Sequence, residues 1–380
     1  MIQKKRLLIA TDNFLPRWDG IARFLSQILP ELTKEYSVTV VAPKFKGKFK
    51  KPKDVKLIRI KTHNFYLGDY QPSRPSFFAL KKHIKDADLI WTQSIGPIGS
   101  SAIILSKLYK KPLIAYIHSI ESELVSKSLG RGPVTKKLAF IITKWISRFL
   151  YNRCDLLMVP SLDTAEILSW QKIKSKKAVV HLGIDTLKFG PSLDKLGSKK
   201  KLGLPNSTII GFTGRIGREK DLFTLYRAFL RIHKKHNVKL LIVGEGIQKI
   251  KEYLKTKSNV ILTGPKDNVI DYLHAMDIYV MPSLTETSSL ATMEAMATGL
   301  PVIATPIGHM KNYIDENYNG FHFPRRNHYT LSKKLEVLIL DKKLRILVGN
   351  NARNTILENY LWGDTVKKIK KTFSIILGRD

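Results

Sequence analysis

The stretch TIIGFTGRIGREKDLFTLYRAFL, residues 208–230, decides how the chain is read. It begins with an apolar, β-branched run (208–213), turns through a loop rich in glycine and cations, and enters a helix predicted over 221–236. The apolar run is continuous rather than alternating, so both of its faces are covered, as in a parallel sheet flanked by helices. Such sheets bind ligands at the carboxyl ends of their strands. Arg215 and Lys220 are spaced along a loop at that position, where two cations suit a diphosphate. Taken alone, the loop also reads as a basic surface turn.

The same alternation runs outward in both directions. It predicts strands at 6–10, 38–42, 56–60, 88–92, 113–118, 155–160 and 178–181, then, beyond 208–213, at 239–243, 260–263, 277–281 and 301–304. Helices are predicted at 21–36, 97–110, 331–347 and 358–377 among others. A polar stretch at 183–205, rich in glycine, proline and lysine, is the expected hinge. At 380 residues the chain exceeds one hydrophobic core. The expected domains are 1–187, 188–357 and a C-terminal helix, 358–380, packing back on the first. The fold class is α/β, two doubly wound Rossmann-like domains with a cleft between them.

A net charge of +34 and a lone cysteine frame the function. Residues 1–190 carry an excess of +20 and residues 191–380 an excess of +14. That field favours a polyanionic partner, although a salt-adapted or thermophilic lysine habit produces it too. Cys154 excludes a disulfide framework and reads as a buried, inert thiol in a reducing compartment. The basic start, Met1 to Arg6, precedes only four apolar residues, too few for a secretory signal, and no run is long enough to span a membrane.

Two phosphate motifs are missing. There is no G-x-x-x-x-G-K-[ST], and the first strand leads into Thr11-Asp12-Asn13-Phe14 rather than G-x-G-x-x-G. A P-loop enzyme and a dinucleotide oxidoreductase are therefore poor fits. Gly20, at the start of a helix, leaves room for an anion at exposed N–H groups. The segment PSLTETSSLATMEAMATGLP (282–301) again joins a strand to a helix. Its small residues Thr287, Ser288 and Ser289 open the helix start to an anion. Glu286 lies in the loop and Glu294 about one turn into the helix, where a carboxylate can accept from a vicinal diol. The plainer readings are a dipole-complementing carboxylate for Glu286 and a solvated helix residue for Glu294.

Five ordered motifs make the chain resemble the family 4 retaining glycosyltransferases, which have the GT-B fold. They are HLGIDTLKF (181–189), GRIGREK (214–220), LLIVGEG (240–246), the Glu286-x7-Glu294 pair and EAMATGLPVIAT (294–305). The resemblance implies that Arg215 and Lys220 bind the donor diphosphate and neutralise the leaving group. It implies that Glu294 holds the nucleotide ribose, Glu286 meets the transferring sugar, and Thr287, Ser288, Ser289 and Leu290 offer backbone amides. Gly20 matches the glycine that approaches the phosphate, and His118 the histidine beside the sugar. The resemblance further implies that the donor is a nucleotide-diphosphate sugar, UDP-hexose or GDP-mannose, used as substrate without any cofactor. Three positions depart from the family: Ser289 and Asp221 where glycine is common, and Asp19-Gly20 in place of Gly-Gly. Local geometry or donor preference is where their effect is expected.

His233 and His236, in HKKH, read as solvent-exposed, and no Asp-x-Asp motif adjoins a strand end, so no divalent ion is expected. The two cations do that work. The implied chemistry is front-face transfer with retention. The resemblance implies that the acceptor is received chiefly by the first half, where 134–151 is predicted to form an amphipathic helix. Val134, Leu138, Ile142, Trp145, Ile146 and Phe149 share one face, part of which is expected to pack on its own sheet, and Lys137, Lys144 and Arg148 share another. The loop KFKGKFKKPKDVK (44–56) interleaves Phe45 and Phe49 with lysines. Both features suit an anionic membrane surface. The expectation is a cytoplasmic enzyme, peripheral on the inner face of the cell membrane, with a lipid or lipid-linked acceptor. A GT-B sugar-nucleotide epimerase and a basic nucleic-acid-binding protein are the alternatives. No nucleic-acid module is recognisable, and the sequence leaves the oligomeric state open.

Overall fold

The structure, a computed structural model, describes residues 4–378 apart from 18, 67–69, 76, 129–131 and 267. The first three residues of the basic start lie outside it. The chain forms two units, Met1–His181 with Thr365–Asp380, and Leu182–Asp364.

In the first unit the order is β1 (Lys5–Ala10), α1 (Gly20–Leu32), β2 (Tyr36–Pro43), β3 (Val55–Ile60), α2 (Phe77–Asp86), β4 (Leu89–Thr92) and α3 (Pro97–Leu108). It continues through β5 (Leu113–Tyr116), α4 (Glu121–Ser128), α5 (Pro133–Tyr151), β6 (Leu156–Val159), α6 (Leu162–Trp170) and β7 (Lys176–Val179). The strands form one parallel sheet in the order β3-β2-β1-β4-β5-β6-β7. β1, β4, β5 and β6 are buried on both faces along most of their length, which is why they read as unbroken apolar runs. The order reverses between β1 and β4. There Asp12 is buried and accepts from the N–H groups of Ile98 (2.9 Å) and Gly99 (3.1 Å) and from the Ser94 hydroxyl (2.7 Å), tying the loop after β1 to the start of α3. Burial, opposed by these donors, raises its pKa. Helix α1 ends four residues short of the predicted Tyr36, because Tyr36 is claimed by the ladder opposite Lys5.

The second unit runs α7 (Lys195–Lys201), β8 (Thr208–Thr213), α8 (Leu222–Ile232), β9 (Val238–Val243), α9 (Gln248–Lys255), β10 (Val260–Leu262), α10 (Val269–Ala275) and β11 (Ile278–Met281). There follow α11 (Leu290–Ala297), β12 (Val302–Ala304), α12 (Met310–Tyr313), β13 (Gly320–His322), α13 (His328–Leu340), α14 (Lys342–Asn359) and the start of α15 (Trp362–Ile376). Its parallel sheet has the order β10-β9-β8-β11-β12-β13, with the reversal between β8 and β11. Helix α8 packs through Leu222, Leu225, Phe229 and Ile232, an i, i+3, i+7, i+10 stripe in which each buried side chain contributes roughly 1.5–3 kcal/mol.

Several expectations are corrected. The stretch 183–205, read as a hinge, packs into the second unit: Phe189 is buried, and the buried Lys199 ammonium donates to Asp277 (2.6 Å) and to the Ser207 carbonyl (2.8 Å). The first crossing between units falls after His181, not after residue 187. The helix predicted at 331–347 is two helices, broken at Asp341, whose extended backbone and side chain cap α14 through the Leu344 N–H (2.8 Å). From Thr365 onward α15 belongs to the first unit, with Phe373 against Tyr36 and Trp91 (ring centroids 5.8 and 5.1 Å). Cys154 is buried, and burial raises its pKa.

The basic features of the first unit also resolve. Phe45 and Phe49 turn inward, under the guanidinium groups of Arg17 and Arg59 (5.9 and 4.7 Å), while the lysines of that loop stay exposed. Helix α5 does the opposite. Only Ser147, Leu150 and Tyr151 of it are buried, so the part expected to pack on the sheet does not. Val134, Leu138, Ile142, Trp145, Ile146 and Phe149 are all exposed, Trp145 by 64%.

Candidate active site

The reversal between β8 and β11 brings together the two loops singled out in the sequence. The loop after β8 crosses close to the loop after β9: a side chain at Gly244 would meet the Gly214 carbonyl at 1.8 Å. It carries Arg215, then a 3-10 turn, Arg218–Lys220. The Arg215 guanidinium donates to the carboxylate of Glu219 (2.5 Å). Glu219 is buried beside Gly217, where a Cβ would meet its carboxylate oxygen at 2.3 Å and push that carboxylate aside. The Lys220 ammonium pairs with Glu286, which also accepts from the Ser283 hydroxyl (2.8 Å). The Glu219 carbonyl accepts from the Leu284 N–H (2.7 Å), which joins the two loops. Arg215–Glu219 and Lys220–Glu286 are thus two ion pairs on loops joined by that backbone bond.

The following helix, α11, starts at Ser289 and has no side-chain hydrogen bond at its cap. The Thr287 carbonyl accepts from the His309 N–H (2.6 Å) and the Ser288 carbonyl from the Tyr313 hydroxyl (2.7 Å). Burial foremost, then the negative charge of Glu286, pushes the Tyr313 pKa up, so the hydroxyl stays a donor. Gly308 is in left-handed conformation (φ +52°), with its Cα against the Glu286 carbonyl, which an added Cβ would meet at 2.2 Å. Glu294, in the second turn of α11, is buried rather than solvated. Ser289 and Asp221 both adopt positive φ (56° and 45°). They are two of the three positions where the resemblance leads one to expect glycine, and a left-handed backbone at a residue with a side chain costs some strain. Asp221 offsets part of it by accepting from the Thr224 hydroxyl (2.7 Å), and burial raises its pKa.

In the first unit Gly20 opens α1 beside Asp19, whose carboxylate accepts from the Ala22 N–H (3.0 Å). A Cβ at Gly20 would meet nothing within 4 Å, so the glycine serves no internal packing. His118 follows β5, half-buried, stacked on Tyr116 (4.5 Å) and edge-on to Phe24 (5.2 Å). Its Nε2 is 2.8 Å from the amide oxygen of Gln93. Burial lowers its pKa to about 3, so the imidazole is neutral. Glu121, opening α4, accepts from the Tyr151 hydroxyl (2.5 Å), and burial raises its pKa to about 7.

His233 and His236 are not solvent-exposed as read. His233 packs on Phe229 (5.2 Å), and His236 meets Glu336 at 3.4 Å. Among the described residues no group of three or more His, Cys, Asp and Glu side chains is arranged to hold a metal ion.

A sequence model described as Glycosyltransferase Family 4 matches residues 18–188, and one described as Glycosyl transferases group 1 matches residues 194–355. The chain is a family 4 glycosyltransferase. This glycosyltransferase is 26% identical over 367 residues to alpha-monoglucosyldiacylglycerol synthase of Streptococcus pneumoniae, covering 87% of this chain and 81% of that protein. It is 29% identical over 304 residues to UDP-Gal:alpha-D-GlcNAc-diphosphoundecaprenol alpha-1,3-galactosyltransferase of Escherichia coli, covering 72% and 78%. Its two Rossmann-like domains have the fold of sucrose-phosphate synthase from Thermosynechococcus elongatus, with a TM-score of 0.81 and 17% identity over both full chains.

Sequence reasoning missed Glu219, Tyr313 and Gly308 in this glycosyltransferase. Glu219 stood inside a quoted motif, but only the space beside Gly217 reveals its task. Gly308→Ala is expected to destabilise the enzyme by about 1–3 kcal/mol, since the neighbour it strikes is backbone. Transfer activity falls with it as the Glu286 loop moves, and urea denaturation beside a transfer assay checks both. For Glu121, whose pKa is raised, the unfolded chain gives up its proton from about pH 4.5 while the folded chain holds it to about 7. Stability is lost as pH rises through that window. Glu121→Gln should therefore raise stability above about pH 7 by on the order of 3 kcal/mol and change nothing near about pH 4, as read by urea midpoints.

Proposed function

We propose that this glycosyltransferase moves a hexose from a nucleotide-diphosphate sugar, UDP-hexose or GDP-mannose, to a hydroxyl of a lipid or lipid-linked acceptor, with retention of configuration. The carrying observation is the cluster of Arg215, Lys220 and Glu286 where the strand order reverses. As the bond from the anomeric carbon to the phosphate oxygen breaks, negative charge gathers on the leaving diphosphate. Arg215 and Lys220 neutralise that charge electrostatically, the work a metal ion does in other enzymes. The acceptor oxygen bonds the anomeric carbon from the same face, and its proton passes to the departing phosphate. Glu286 binds the sugar, Glu294 the ribose, and Thr287, Ser288, Ser289 and Leu290 offer N–H groups to the anion at the start of α11. Gly20 leaves the phosphate space, and His118 meets the sugar.

The lipid acceptor is supported by the two relatives, whose names specify synthesis of a monoglucosyldiacylglycerol and galactosyl transfer to a GlcNAc-diphosphoundecaprenol. It is also supported by α5. Seven large apolar side chains of one helix are exposed together, an arrangement that a monomeric soluble protein rarely keeps without a use. Near the end of α5, Lys107, Lys110, Lys111 and Arg153 line a groove of about 550 Å³, so the apolar stripe is flanked by cations suited to anionic headgroups. No helix among the described residues is long and apolar enough to cross a membrane. A helix lying in the bilayer surface fits both facts, on the cytoplasmic face where nucleotide sugars are found.

Two results are expected. Arg215→Ala or Lys220→Ala lowers kcat/KM by more than about tenfold, 1.4 kcal/mol of barrier, in a radiolabel transfer assay. Survival within that margin overturns the assignment. Changing Trp145 and Ile146 together to Glu reduces flotation with phosphatidylglycerol vesicles by about tenfold or more, while the melting temperature holds because both side chains are exposed. Unchanged flotation rejects α5 as the membrane contact.

A further inference from the structure

Gln93 follows β4 directly and is 1% exposed. Its N–H donates to the Ala10 carbonyl (2.9 Å), which fixes the backbone at the strand reversal. Its amide oxygen accepts from His118 Nε2 (2.8 Å), the only arrangement open to a carbonyl-type oxygen. The amide nitrogen is buried and has no hydrogen-bond partner among the described residues. Leaving such a group unpaired is costly, and an apolar side chain of the same size at this buried position would avoid the cost. Stability therefore does not explain the amide. Its one side-chain bond does: it holds the imidazole.

We propose that Gln93 is a positioning residue of the transfer reaction, fixing His118 as the Nε2–H tautomer so that Nδ1 is the acceptor edge offered to a sugar hydroxyl. This rests on the reading that His118 lies beside the transferred sugar. With Nε2–H committed to Gln93, and the ring clamped by Tyr116 and Phe24, neither rotation nor tautomer exchange is available at low cost. The ring cannot act as a cation or a proton donor at Nδ1; it orients and accepts. Of the titratable groups around it, Glu121, whose pKa burial raises to about 7, is the one that changes charge near neutral pH. Tyr116 donates to the Val180 carbonyl (2.7 Å) with a pKa pushed up by burial, and Asp12 is engaged by Ser94, Ile98 and Gly99. Glu121, three residues on, is bonded to Tyr151.

Gln93→Met and Gln93→Glu test this in the full-length enzyme. Gln93→Met removes the orphan amide and the bond to His118. It is expected to keep or raise the melting temperature while kcat falls about tenfold or more and donor KM changes little. Gln93→Glu places a carboxylate on Nε2–H, favours the imidazolium, and is expected to add a limb to the kcat/KM profile between about pH 5 and 8, in the Glu121→Gln background as well as in the wild-type one. A kcat for Gln93→Met within about threefold of wild type overturns the proposal, as does a wild-type profile in Gln93→Glu. Nitrogen-15 spectra of the wild type give a reading that needs no variant: protonation at Nε2 supports the proposal and protonation at Nδ1 overturns it. His118→Ala separates the two levels. If it retains wild-type turnover, His118 itself is misassigned; if it loses turnover while Gln93→Met keeps it, only Gln93 is.

Discussion

The pairing of Lys220 with Glu286 is the contact on which the two loops at the reversal of the second sheet depend. Both side chains are mostly shielded from water, so neither charge would be tolerated there alone. Glu219 does the same for Arg215. The two cations are thereby fixed in place by carboxylates before any substrate arrives. On the proposed function, a diphosphate entering this cluster would meet positive charge whose reorganisation cost has already been met by the fold, which is the condition for electrostatic catalysis. Sheet topology makes this possible, because the reversal between β8 and β11 opens a gap into which both loops project.

Much of this was legible in the residues. Continuous apolar runs gave both parallel sheets, and the motifs around Arg215, Lys220, Glu286 and Glu294 fell on the loops where the order reverses. Short or locally ambiguous elements were not. β13 has three residues, one of them glycine, too few for a periodic signal. The break between α13 and α14 turns on one aspartate that can cap as well as continue a helix. Contacts across the chain were hidden in principle: nothing in the neighbourhood of Gln93 points to His118, and Tyr313 reaches the Ser288 carbonyl from another loop. The two missing glycines were visible as departures, but their meaning required the positive φ angles at Asp221 and Ser289.

Burial acts in opposite senses within the first unit. It strips His118 of its proton and makes Glu121 keep one, so two groups three residues apart are both neutral near pH 6. The edge of the sheet near His118 is accordingly low in charge, although the protein as a whole is strongly basic. The cations are spread over loops and helix surfaces instead, with those of 44–56 and the end of α3 in water. Surface charge and a neutral interior pair are kept apart in the same domain.

The lone cysteine has a practical side. Cys154 is enclosed against the Leu150 carbonyl, and its thiol is held in the unreactive protonated form. The native chain is therefore nearly blank to alkylating dyes and spin labels. A reporter cysteine placed along the outward stripe of α5 gives a single-site signal without first removing a background thiol, and depth along that helix becomes measurable one position at a time.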